Sequence, residues 1–159
     1  MSHSAPEQGE SSFELGTDGP SAILVGADDS VTANRALAYA MGLARRQRAR
    51  LIVVYVAPFA GMETVAPSGA AIVVAEAQAH DEVAEDLRER SGRVGQELGL
   101  SVTFIQAHGD AYAEIRRIAD ETRADAIVVG ASTKAGHRLV GSLAVRLVRA
   151  GKWPVTVVP

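Results

Sequence analysis

No cysteine occurs in the 159 residues, which excludes disulfide staples, thiolate nucleophiles and thiolate metal sites, and suits a reducing cytosol. Aromatic residues make up only 4% of the chain. Nor does charge of either sign dominate. The formal net charge is −3, which gives no electrostatic reason to expect nucleic acid or an anionic membrane as partner. No apolar run reaches the roughly 18–20 residues of a membrane-spanning helix. The first residues also lack the basic start and apolar stretch of a secretory signal. A cytoplasmic location is expected.

What is present is apolar and finely divided, with 47% of the residues hydrophobic. The length suits one domain with a real core. Residues 1–20 are rich in Ser, Glu, Gly and Pro and read as a disordered tail, leaving residues 21–159 as the folded domain. Within it, short apolar runs alternate with helical patterns. The run Ala22 to Ala27 lacks polar alternation and stops at Asp28-Asp29-Ser30, as a strand buried on both faces does. Asp29 or Ser30 is placed to cap a helix with Ala33, Ala36, Leu37, Ala40 and Ala44 on its inner face. That helix ends in Arg45, Arg46, Arg48 and Arg50, positive charge where the macrodipole favours it.

Leu51 to Ala57 is a second strand. A long helix from about Ala71 to Leu98 follows, with Ala79, Val83, Leu87, Val94 and Leu98 on its apolar stripe and His80 on its solvated side. Leu100, Val102 and Phe104 alternate with polar residues, as on an edge strand. Gly109-Asp110 opens a helix with Ile115, Ile118 and Ala119 inward, and Asp125 to Gly130 is a fourth strand. A last helix starts at Gly141-Ser142 with Leu143, Leu147 and Val148 inward, and a strand at Pro154 to Pro159 ends the chain. This βαβαβαβαβ order requires right-handed crossovers and helices on both faces, hence an α/β doubly wound, five-stranded parallel sheet. The residues alone leave two strand orders open, 3-2-1-4-5 and 2-1-3-4-5. In either, a ligand binds beyond the carboxyl ends of the strands, where the order reverses.

Under the first order Asp28 and the segment Gly130 to Ser142 flank that point. The segment holds three glycines, Lys134, His137 and Arg138, and a helix start, a combination suited to an anion. The same residues also read as a plain strand–helix connection. Gly136-x4-Gly141-Ser142 lacks the lysine of a P-loop, and no GxGxxG follows the first strand. Asp28-Asp29 suggests a magnesium-binding phosphoacceptor site, but Asp110 and Lys152 stand in the wrong places to complete one. The four histidines show no ligand spacing, and there is no GxSxG. No metal and no demanding catalysis are expected.

The segments Ile23 to Ser30, Val54-Tyr55-Val56, Ala124 to Gly130, Gly141-Ser142 and Pro154 to Pro159 resemble, in order and location, those of a universal stress protein. The resemblance runs from about Ser21 to the C-terminus. It implies the 3-2-1-4-5 sheet of the Rossmann-like, adenine nucleotide alpha hydrolase-like group, and a homodimer paired through Val155-Val158. It also implies a stress-response regulator that acts on protein clients and binds ATP or another adenine nucleotide, with at most slow hydrolysis. By this resemblance Asp28 and Val56 lie near ribose and adenine, and Gly130, Gly141 and Ser142 near ribose and phosphates. Thr133 stands where the family's nucleotide-binding branch has its second glycine. Seven residues instead of nine separate it from Gly141, and Lys134 is then the nearest cation for phosphate. The alternative is a dimeric interaction module that works without nucleotide.

Overall fold

The computed structural model describes residues 19–59, 69–132 and 142–159. The expected tail falls almost wholly outside them, as do most of the loop after Phe59 and the positions Thr133, Lys134 and Gly141. Among the described residues nine elements follow in strict alternation: β1 (Ala22–Ala27), α1 (Val31–Gln47), β2 (Arg50–Ala57), α2 (Gly69–Leu98), β3 (Val102–His108), α3 (Ala111–Glu121), β4 (Ala126–Gly130), α4 (Ser142–Ala150) and β5 (Val155–Val158). All strand pairs are parallel, in the order β3-β2-β1-β4-β5. This settles the choice left open by the residues. β3 is an edge strand, as its alternation suggests, and β5 is the other edge.

Alternating side chains divide the sheet between two apolar layers. Ile23, Val25, Leu51, Val53 and Val128 face α1 and α2, and Leu24, Ile52, Val54, Ile127 and Val129 face α3 and α4. Both layers are dry, so the central strands read as unbroken apolar runs. The alanine face of α1 lets that helix sit close to the sheet, with Ala36, Ala40 and Ala44 fully buried.

Two helical faces differ from the sequence pattern. Among the described positions of α2 the buried ones are Ala84, Leu87, Ser91 and Gly95, with Val83 and Val94 beside them, while Ala79 and Leu98 are exposed. α2 runs 30 residues, and positions 74–79 along it are all exposed. On α4 the buried pair is Ala144 and Leu147, and Val148 is exposed.

Local capping holds the helix starts where strands end. Ser30 Oγ accepts from the Ala33 N–H at 3.1 Å, and the Asp110 carboxylate accepts from the Ala113 N–H at 2.9 Å. At the opposite end of the sheet Asp125 Oδ2 accepts from Ser21 N–H, Ser21 Oγ and Ala22 N–H at 2.8–2.9 Å, which ties the start of β1 to the start of β4. Partial burial pushes the Asp125 carboxyl up. Those three donors and the nearby Arg50 outweigh it and hold the pKa below the usual carboxylate range.

Candidate functional site

The strand order reverses between β1 and β4, since β1 continues through α1 to one side and β4 through α4 to the other. Above their carboxyl ends lies a cleft of about 400 Å³. Its floor is Gly26, Val129 and Gly130. Its walls come from the first turn of α1 (Ser30, Thr32, Ala33), the first turns of α3 (Ala111, Ile115) and the start of α4 (Leu143, Ala144). Among the described residues three helix N-termini therefore face one space, and a helix N-terminus favours negative charge.

Asp28 and Val56 lie on the cleft wall together with Val54, and Ala131 and Ser132 continue it past Gly130. Of the residues singled out in the sequence, Asp28, Val56 and Gly130 are thus brought together. Ser142 begins α4, the helix that supplies Leu143 and Ala144. One Asp28 carboxylate oxygen accepts the Ser30 N–H at 2.9 Å, a two-residue turn that turns the chain from β1 into α1 and leaves the carboxylate at the mouth.

Gly130 has a structural duty as well. A Cβ there would lie 2.6 Å from the Thr32 carbonyl carbon and 2.7 Å from the Ala33 nitrogen. Only glycine lets the first turn of α1 rest on the end of β4. Gly26 is less restricted, because the nearest atom to a Cβ there is the flexible tip of Ile115 at 3.3 Å.

The α3 and α4 walls are locked to one another. Arg146 on α4 pairs with Asp110 at 3.1 Å and lies 4.0 Å over the Tyr112 ring. The Ala113 N–H and Arg146 hold the Asp110 carboxyl below the usual range. On the α2 side, Tyr55 Oη lies 2.7 Å from Nδ1 of His80. Burial, and then the negative charges of Asp28, Asp81 and Asp29, push the Tyr55 phenol above its ordinary value, so the hydroxyl keeps its proton. His80 is therefore a half-buried partner of β2 and not the solvated side chain that its charged neighbours suggest. No local signal marks that pairing, which spans two elements. The lining by Thr32, Ala111, Ile115 and Leu143 is equally invisible in sequence, because these residues look like ordinary core positions. Among the described residues no group of three His, Asp or Glu side chains forms a metal-binding cluster. No described helix is long and apolar enough to cross a membrane.

A 3-2-1-4-5 parallel sheet with an open cleft at its switch point defines a doubly wound α/β protein of the Rossmann-like class. The model of the universal stress protein family matches residues 21–159, and the chain belongs to that family. A universal stress family protein from Burkholderia pseudomallei is 30% identical, with a TM-score of 0.65 over 87% of this chain and 96% of that one. Universal stress protein UspA from Lactobacillus plantarum is 25% identical, with a TM-score of 0.71 over 87% and 97%. A universal stress protein solved in complex with cAMP is 24% identical, with a TM-score of 0.66 over 89% and 99%. Among curated proteins the sequence finds no significant match.

Proposed function

We propose that the protein is a cytosolic stress-response regulator that binds an adenine nucleotide in the β1/β4 cleft without turning it over at any useful rate. The carrying observation is the convergence of Asp28, Val56 and Gly130 on one cleft of about 400 Å³, within the usual range for small-ligand sites. The lining suits the chemistry. Val54 and Val56 offer an apolar wall to a base, and the Asp28 carboxylate offers an acceptor to ribose hydroxyls. The starts of α1 and α4 offer N–H groups to phosphate. Ser142 and, outside the described residues, Thr133, Lys134 and Gly141 complete the expected set. The cAMP complex of a structural neighbour supports this ligand class. Among the described residues Asp28 is the one carboxylate on the cleft wall, and a carboxylate already engaged in a turn is poorly placed as a general base.

Titration calorimetry with AMP, ADP, ATP and cAMP tests the reading. Saturable heat at or below about 1 mM, weakened about tenfold or more by Asp28→Ala, is expected. No heat with any of the four overturns it. The second reading, a dimeric interaction module without nucleotide, rests on β5. This edge strand carries Val155, Val157 and Val158 only half-buried, the kind of edge that pairs with another copy.

A further inference from the structure

At the end of the sheet remote from the cleft, a second groove runs between the C-terminus of α1, the start of β2 and the α2–β3 turn. It is lined by Arg45, Arg48, Arg50, Leu98, Leu100 and Ser21. Three arginine residues thus line a groove that also shows apolar surface, with Leu98 37% exposed. Arg50 donates to the Thr122 carbonyl oxygen and lies near Asp125. Among the described residues, neither Arg45 nor Arg48 forms an ion pair, although the surface arginines Arg88, Arg117 and Arg146 all do.

The chain enters the described fold at this same place. Ser21 lines the groove, and Gly19 packs so closely on the Gln47 side chain that a Cβ would lie 2.5 Å from its Oε1. Gln47 is the last residue of α1, between Arg45 and Arg48. The preceding polypeptide therefore arrives beside the arginines. Residues 1–18 carry four carboxylates, on Glu7, Glu10, Glu14 and Asp18, and no lysine or arginine. Phe13 and Leu15 flank Glu14 and supply apolar side chains of the size that Leu98 and Leu100 could cover. At about 3.3–3.6 Å per residue, the six to eight residues from Ser21 back to this Phe-Glu-Leu run reach across a groove of this size.

We propose that the arginine-lined groove at the amino end of the sheet is the docking surface for the chain's own acidic segment, residues 1–18. The Glu14 and Asp18 carboxylates meet Arg45 and Arg48, and Phe13 or Leu15 covers Leu98. Because the segment is tethered at Ser21, its effective concentration at the groove is millimolar without any partner. The contact is electrostatic and partly exposed, so salt weakens it. Any modification that adds negative charge to Ser11 or Ser12 strengthens it.

The absence of native cysteine makes the test direct. A nitroxide attached at the thiol of the Ser4→Cys full-length chain broadens amide signals of whatever it approaches. Broadening at Gln47, Ala49, Gly99 and Leu100 is expected to fall about threefold or more between about 20 mM and 500 mM salt, as the screening length shrinks from about 20 Å to 4 Å. The same loss is expected at low salt in two variants. One combines Arg45→Glu with Arg48→Gly. The other neutralises the segment with Glu7→Gln, Glu10→Gln, Glu14→Gln and Asp18→Asn, changes that leave the sheet untouched. Asp28 and Gly130, at the other end of the strands, serve as the unaffected reference. Broadening that ignores both salt and the neutralised segment reflects the tether alone and overturns the proposal. So does broadening that passes to an isotope-labelled, spin-free copy in a mixed sample, which assigns the groove to a second molecule.

Discussion

Thr32 and Gly130 touch backbone to backbone: the carbonyl carbon of Thr32 would lie 2.6 Å from any Cβ placed on Gly130. The first turn of α1 thus rests directly on the last residue of β4, and the two halves of the cleft wall share one contact. Gly130→Ala is expected to destabilise the fold by about 1–3 kcal/mol, because backbone atoms cannot swing away as a side chain can. Gly26→Ala, one strand over, is expected to cost less than about 1 kcal/mol, since Ile115 can rotate its tip. Urea denaturation of the two variants makes the comparison. A glycine needed only for ligand approach would leave Gly130→Ala as stable as the wild type.

Asp125 binds three donors from the start of β1, and its pKa is depressed. A carboxylate of this kind stabilises the fold above its unfolded pKa, and the contribution is lost as pH falls through the folded value. Asp125→Ala is expected to cost about 1–2 kcal/mol at pH 7, discounted for its solvent exposure. The gap to the wild type should narrow below the ordinary value of 3.8. Denaturant midpoints across pH 2–7 check both the size and the sign.

Arg48 closes α1 with φ at 55°, a conformation that glycine adopts without strain. Arg48→Gly is expected to leave stability unchanged or raise it by up to about 1 kcal/mol. Thermal melts with matched Arg45→Gly, which places glycine inside the helix and should destabilise by a similar amount, separate the backbone effect from the lost charge.

Tyr55 and His80 join β2 to α2 through one 2.7 Å hydrogen bond. Tyr55→Phe removes it while keeping the ring, and about 0.5–1.5 kcal/mol should be lost. The His80 ring signals should shift in a proton–nitrogen spectrum. An unmoved His80 would show the bond to be absent in solution.

For the dimer proposed through β5, Val157→Pro removes an N–H from a four-residue strand. Sedimentation should show the variant as monomer where the parent is dimer. An unchanged dimer places the interface elsewhere.

Much of this architecture is legible in the residues. The dry runs Ala22 to Ala27 and Leu51 to Ala57 announce strands buried on both faces, and Ser30 and Asp110 announce the helix starts that they cap. The placement of Asp28, Val56 and Gly130 around one cleft follows once β1 and β4 are neighbours. That adjacency is not local information. Periodicity leaves two strand orders open, and the family resemblance selects one. The errors have the same origin. Ala79 and Leu98 fit the helical stripe of α2 but are exposed. His80 sits among charges in sequence and against Tyr55 in space. A helical period says which residues share a side, not how far the neighbouring layer extends.

The adjacency of β1 and β4 also matters during synthesis. Ser21 and Asp125 are 104 residues apart, so the first strand emerges from the ribosome long before its second neighbour exists. Until then one flank of Ala22–Ala27 offers unpaired peptide groups beside Leu24 and Ile23, a sticky edge on a nascent chain. Slowing translation ahead of β4 would lengthen that exposure, so codon speed between residues 60 and 126 bears on the yield of folded protein.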